Sequence, residues 1–309
     1  MTATPADTAP RSWTLPLPGG RELALDARPG RALVAGIVNV TPDSFSDGGL
    51  FLDPGRAVDH ALALEAAGAH LLDLGAESTR PAGRAYGAGA AAVPAEEEWR
   101  RLEPVLRRLR DATRLPLSVD TRKGEVARRA LDAGADLVND VGALTDPGLA
   151  DAVAAAGCPV VLMHSRGDTA TMPHEAVYAD VAAEVRDELA AALARAEAAG
   201  IDRERTLVDP GLGFAKTAAH NFALLARLPV LAELGRPILV GASRKSFLGG
   251  AALGLAAPRE EPPAGRLAAS LAAAAWASQR GAAVLRVHDV AETVAALAVW
   301  RRLAEVVPA

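Results

Sequence analysis

The sequence predicts an α/β fold, a (β/α)8 TIM barrel with a short N-terminal hairpin extension. Three observations predict it. Short β-branched and apolar runs alternate with alanine-rich amphipathic segments over most of the chain, a rhythm that builds a parallel sheet covered by helices. The strand runs are continuously apolar, as expected when both faces of a sheet are covered. The alternation repeats eight times without a topological reversal, and no GxGxxG follows the first run, which favours a closed barrel over an open dinucleotide-binding sheet. A barrel of roughly 250 residues fits within the 309 residues with tails to spare.

In chain order, residues 1–30 read as a tail and a hairpin, and 31–309 as the barrel. Residues 1–11 are polar and Pro/Ala-rich and read as a disordered tail. Leu15-Pro16-Leu17-Pro18-Gly19-Gly20 supplies the turn of a small hairpin, placed to plug the bottom of the barrel. Strands are expected at 33–39, 70–74, 117–120, 137–140, 160–164, 206–209, 238–241 and 283–287. Helices are expected at 55–67, 95–112, 124–133, 147–156, 176–199, 218–228, 266–279 and 290–306. In the fifth helix Val177, Val181, Val185, Leu189 and Leu193 recur every fourth residue as one apolar stripe. Gly68, Gly134, Gly157, Gly200 and Gly281 stand where a helix should stop before the next strand. Two connections, 79–94 and 246–265, are unusually long. Both follow strand C-termini, the face where barrel enzymes keep their sites.

Composition narrows the function classes. A formal net charge of −5 argues against a general nucleic-acid binder. A single cysteine, Cys158, excludes an internal disulfide. No basic start followed by an apolar run opens the chain, and no apolar stretch is long and clean enough to span a membrane. The expectation is a cytoplasmic protein without membrane or nucleic-acid partners.

The chemistry gathers at the strand ends. The stretch 36–49 reads GIVNVTPDSFSDGG: a buried strand delivers Asn39 into a loop of hydroxyls, carboxylates and glycines around Phe45, and Thr41-Pro42 ends the strand. Strand 2 runs into Glu77-Ser78-Thr79-Arg80-Pro81, strand 3 ends Ser118-Val119-Asp120-Thr121, and strand 4 ends Asn139-Asp140. Strand 5 ends Met163-His164, and strand 6 leads into Asp209-Pro210-Gly211-Leu212-Gly213-Phe214. Strand 7 leads into Ser243-Arg244-Lys245-Ser246, and strand 8 ends Arg286-Val287-His288-Asp289. A barrel built only for stability needs no carboxylate, amide or cation at the end of nearly every strand.

NVTPDSFSDGG, ESTRP, SVDT, ND, DPGLGFAK, SRKS and RVHD, in this order, closely resemble the dihydropteroate synthase family, and the resemblance runs from strand 1 to strand 8. It departs after strand 5, where His164-Ser165-Arg166-Gly167 stands, and in a long second loop. The resemblance implies a transferase of folate biosynthesis, which joins 6-hydroxymethyl-7,8-dihydropterin diphosphate to p-aminobenzoate and releases diphosphate. It implies Asp209 on the two-donor edge of the pterin, helped by Asp120 and Asn139, with Lys245 donating to a ring acceptor. Arg286, His288 and Arg80 would take the diphosphate, with Mg2+ held near Asn39 and Asp47 reaching it through water. Phe45, Thr79, Pro81, Phe214, Lys245 and Ser246 would line the aminobenzoate pocket. The catalytic set implied is Asp120, Asp209, Lys245, Arg286 and His288. Ser243 and Ser246 have no obvious base partner in the sequence, which fits the SN1-like route, without an enzyme nucleophile, that the resemblance implies. The family also implies a homodimer.

Two other readings compete. A pterin-binding methyltransferase would share the Asp/Asn cradle but would not need Arg286, His288 and the SRKS string. A catalytically silent relative would keep the barrel alone. Structural roles are expected for Cys158 and Met163 as core residues, for Lys216 as support of its loop, and for Asp140 and Asp289 as helix caps. His164 stands between site lining and a core hydrogen bond.

Overall fold

The computed structural model describes residues 12–40, 53–77, 92–168, 171–172, 174–250, 252–255 and 262–306. Two antiparallel strands come first, β1 (Ser12–Pro16) and β2 (Glu22–Asp26). Eight parallel strands then close into a barrel: β3 (Leu33–Asn39), β4 (Leu71–Gly75), β5 (Leu117–Asp120), β6 (Leu137–Asp140), β7 (Val160–Met163), β8 (Thr206–Asp209), β9 (Ile238–Val240) and β10 (Ala282–Val287). The ring closes where β10 pairs with both β3 and β9. The helices are α1 (Pro54–Ala66), α2 (Ala95–Ala112), α3 (Gly124–Asp132), α4 (Pro147–Ala156), α5 (Val181–Ala198), α6 (Ala218–Ala226), α7 (Leu267–Gln279) and α8 (Val290–Val306). The expected strands and helices are all present. The five expected stop glycines all have positive φ, a conformation open to residues without a Cβ. Gly157, at φ 57, closes α4.

Strand side chains alternate between the two faces, and that period sorts the barrel interior by height. Leu71, Leu137, Leu207 and Val284 join Leu15, Leu17, Leu23 and Leu25 of the hairpin in one buried cluster. The hairpin therefore plugs the N-terminal end of the barrel. Two residues further along the same strands stand Asp73, Asn139, Asp209 and Arg286, so the face that is apolar below is polar above. Outside the sheet, Trp99, Leu102, Val105, Leu106 and Leu109 line one side of α2 and join the main core. The helix pair α3 and α4 approaches so closely at Gly124 that a Cβ there would lie 2.2 Å from the Gly148 carbonyl carbon.

One helix starts later than its pattern suggests. The fifth begins at Val181, not near 176, and Val177 is 74% exposed, outside the apolar stripe. Asp180 sets the boundary. Its carboxylate accepts from the Ala182 and Ala183 N–H groups, and Glu184 reaches back to the Asp180 N–H at 2.9 Å. These reciprocal bonds satisfy the free donors of a helix start and outweigh one more apolar residue in phase.

The expected caps also differ in detail. The Asp140 carboxylate accepts from Gly142 and Leu144 N–H at 2.7 and 2.5 Å, while Asp146 caps α4. Asp289 supplies its carbonyl to the first turn of α8, through Thr293 N–H. Its carboxylate instead pairs with Arg244 at 2.6 Å. Cys158 and Met163 are buried core residues.

Candidate active site

The polar upper layer of the barrel is one network. Arg286, on β10, reaches across the interior, placing Nε 2.5 Å from Asp73 Oδ2 on β4 and a terminal nitrogen 2.7 Å from Asp120 Oδ2 on β5. Asn139, on β6, donates to the same Asp73 oxygen at 3.2 Å. Opposing charge is what makes such burial tolerable. Arg286 keeps its proton: burial alone would lower its pKa, but Asp73 and Asp120 hold it above the usual guanidinium value. Asp120 moves the other way, pushed up to about 7 by burial, with Arg286 pulling it back and Asp73 adding to the rise.

The sequence reading places the polar end of the second strand at Glu77 and does not assign Asp73 to the site. The signal was available: Asp73 interrupts the apolar run Leu71-Leu72-Asp73-Leu74, and a carboxylate inside a buried strand needs partners.

Asp209 ends β8 and is buried. Its Oδ1 accepts from Gly211 N–H at 2.7 Å. Burial raises its pKa, and the nearby Lys245 ammonium opposes the rise. Lys245, after β9, is drawn down to about 8 by burial, with Asp209 opposing. Its Nζ donates to the Leu212 carbonyl and lies 4.8 Å from the centre of the Phe214 ring. Gly211 permits the loop to lie here. It sits at φ 63, and a Cβ would fall 1.8 Å from the His164 carbonyl oxygen, so only glycine fits.

His288 lies two residues beyond Arg286 but has different neighbours: its Nδ1 is 3.1 Å from Ser243 Oγ, and its main-chain N–H donates to the same oxygen, so Ser243 meets an imidazole that its place in the sequence does not reveal. Arg244 between Ser243 and Lys245 adopts φ 59, a left-handed conformation that costs a non-glycine residue of order 1 kcal/mol or more. Its N–H bond to Ser270 Oγ and its side-chain pair with Asp289 hold it there. Ser246 opens a 3-10 turn directly after Lys245, and Asn39 is the last residue of β3.

The structure thus brings together Asp120, Asn139, Asp209, Lys245, Phe214 and Arg286. His288 and Ser246 stand on the neighbouring strand ends. Phe45, Asp47, Thr79, Arg80 and Pro81 lie outside the described residues. Among the described residues nothing donates to Asp73 Oδ1 or Asn139 Oδ1, both buried. Buried acceptors without protein donors are rare in folded proteins, and at this end of the barrel water or a donor-bearing ligand can supply the missing hydrogen bonds. No group of three or more His, Cys, Asp and Glu that could hold a metal occurs among the described residues.

A closed parallel barrel with its polar residues at the C-terminal strand ends has the layout of a barrel enzyme, and the buried acceptors in its interior suit a ligand that brings hydrogen-bond donors. The sequence profile of the pterin binding enzymes matches residues 35–288. A dihydropteroate synthase of Mycobacterium leprae is 49% identical over 268 residues, 86% of this chain and 91% of that protein. A structure of Xanthomonas albilineans dihydropteroate synthase with 4-aminobenzoic acid superposes with a TM-score of 0.84 at 52% identity, covering 96% of this chain and 100% of that one. A second structure of the Xanthomonas enzyme, in complex with 7,8-dihydropteroate, gives a TM-score of 0.80 at 50% identity, with the same coverage. The chain belongs to the pterin binding enzymes and, within them, to the dihydropteroate synthase family.

Proposed function

We propose that the protein condenses 6-hydroxymethyl-7,8-dihydropterin diphosphate with p-aminobenzoate, giving 7,8-dihydropteroate and diphosphate. One observation carries this reading: the buried acceptors Asp73 Oδ1 and Asn139 Oδ1, beside Asp209 and Asp120, face no protein donor among the described residues. A 2-amino-4-oxo-pyrimidine edge supplies neighbouring N–H donors, and a buried carboxylate rejects rings that lack them.

The roles are those the family resemblance implies, and the grouping of Asp120, Asn139, Asp209, Lys245 and Arg286 supports them. Asp209, with Asp120 and Asn139, anchors the pterin, and Lys245 donates to a ring acceptor. Arg286 and His288 receive the diphosphate as negative charge builds on it. The pterin methylene C–O bond breaks, its electron pair leaves with diphosphate, and the cation delocalises into the dihydropterin ring. The arylamine nitrogen then attacks the methylene carbon and loses a proton. Exclusion of water protects the cation meanwhile. Phe214 supports the aminobenzoate ring, with Ser246 beside it; the roles assigned to Phe45, Thr79, Arg80 and Pro81 complete that pocket and the diphosphate site.

Asn39 would hold a Mg2+ ion through its side-chain oxygen. A single amide oxygen at a strand end suits magnesium, which keeps waters and takes substrate phosphates rather than an all-protein cage. When bound, the ion would supply positive charge to the diphosphate oxygens. We place the enzyme in the cytoplasm, on the reading of its one cysteine, as a homodimer formed through its late helices, with residues 1–30 as an extension of the barrel unit 31–309. No helix among the described residues is long and apolar enough to cross a membrane.

The test is turnover of the two substrates to dihydropteroate, with and without Mg2+. Product formation that depends on both substrates supports the reading. Tight pterin binding without product would favour the methyltransferase or silent alternative. Ordered binding is a second readout: p-aminobenzoate should bind more tightly once diphosphate and Mg2+ are present.

A further inference from the structure

We propose that Lys216, with His164 and Glu188 behind it, is a positioning residue for the aminobenzoate side of the site, and sets Phe214 through its main-chain carbonyl. The inference rests on the functional reading above. Its observations are a continuous line of contacts from α5 to the loop after β8. Glu188 on α5 lies 3.0 Å from His164 Nε2, and Arg166 also holds Glu188, at 3.0 Å. His164 Nδ1 lies 2.9 Å from Lys216 Nζ, which also donates to the Phe214 carbonyl at 2.9 Å.

The donor count assigns the protons. In its ammonium form Lys216 only donates, so Nδ1 then accepts from it and Nε2 carries the proton that goes to Glu188. His164 is therefore neutral, in keeping with burial, which lowers its pKa. Lys216 is buried too, and burial brings it down to about 7, with Asp209 opposing and Lys245 and Arg166 adding like charge.

The backbone supports the same role. Ala215, between Phe214 and Lys216, sits at φ 47. That turn is unfavourable for alanine and folds the Lys216 side chain back onto the carbonyl two residues earlier. His164 N–H also donates to the Asp209 carbonyl at 2.9 Å. The loop that carries Leu212 and Phe214 is thus held by two lysines, Lys245 at the Leu212 carbonyl and Lys216 at the Phe214 carbonyl. The first lies at the pterin anchor. The second holds the main chain of the residue whose ring is assigned to aminobenzoate.

The experiment compares steady-state kinetics and pterin calorimetry of wild type, Lys216→Met, His164→Asn and His164→Gln. In Lys216→Met the KM for p-aminobenzoate should rise at least about tenfold, and by a larger factor than the pterin Kd, which also shifts because the Lys216 charge acts on Asp209. Asparagine can put an acceptor oxygen near the place of Nδ1 and keep the Lys216 bond. Glutamine can keep the Glu188 bond but loses the Lys216 bond. His164→Asn should therefore hold the KM near wild type, and His164→Gln should raise it as Lys216→Met does. An aminobenzoate KM within twofold of wild type in Lys216→Met would overturn the proposal. Equal impairment of the two His164 variants would also overturn it, and this pair decides the matter if Lys216→Met does not fold. A wild type without turnover fails the functional reading instead, and so separates the two failures.

Discussion

Arg286 Nε lies 2.5 Å from Asp73 Oδ2 across the barrel, joining two side chains 213 residues apart in the chain. The cation expected to receive the leaving diphosphate is thus already oriented, by a carboxylate on the second strand of the barrel. Asp120 shares the guanidinium at 2.7 Å, so the sides proposed for pterin and for diphosphate meet at one residue.

Asp73→Asn keeps the shape and removes the charge. The buried ion pair becomes a weaker hydrogen bond, at a cost of about 1–3 kcal/mol in stability. Turnover should fall at least about tenfold, because Arg286 loses its anchor. Chemical denaturation and steady-state rates check both. Unchanged rates in a folded variant would show that Asp120 alone positions Arg286.

Arg286→Ala leaves Asp73 and Asp120 together without their cation. Turnover should fall by at least about tenfold, since charge-assisted bonds to the leaving group are worth roughly 1.5–3 kcal/mol each. Stability should also acquire a pH dependence of definite sign. Asp120 is already raised to about 7 with Arg286 present, and losing the cation raises it further, so the native variant keeps a proton there that the wild type releases. The variant should therefore lose stability relative to wild type as pH rises from about 7 to about 9. Denaturation curves across that range test it, and a parallel pair of pH profiles would count against the assignment.

Asp209→Asn turns one acceptor into a donor that faces a substrate N–H. One bond to a charged group is lost, worth roughly 1.5–3 kcal/mol, so pterin affinity should drop at least about tenfold. Apo stability should hold or improve, because burial already disfavours the charged form of Asp209. Calorimetry and thermal unfolding decide. A folded variant that binds pterin within twofold of wild type means that Asp209 is not the anchor.

Glu188→Gln bears on acid stability. The hydrogen bond from His164, and then those from Arg166, hold the Glu188 carboxyl at about 2. A depressed folded pKa gives stability that is present above the unfolded value, near 4.5, and is lost as pH falls toward 2. The difference in stability between wild type and Glu188→Gln should therefore shrink over that interval. A difference that stays constant from pH 5 to 2 would show that Glu188 is not ionised in the native state.

What the sequence by itself determined is local. The strand β3 (Leu33–Asn39) and the helix α2 (Ala95–Ala112) were legible to the residue, since apolar period and stop signals act over a few neighbouring positions. The acid, amide and cation at the strand ends were legible for the same reason, as each closes an apolar run. Asp180 as the start of α5 was equally local and was outvoted by the stripe that includes Val177. The tertiary structure alone decided the partners. Asp73 joins the site only when β4 and β10 face each other across a closed ring, and Lys216 meets His164 only when β7 and β8 pair. Both depend on contacts between residues far apart in the chain, and a sequence pattern fixes which face a side chain takes without naming what stands opposite.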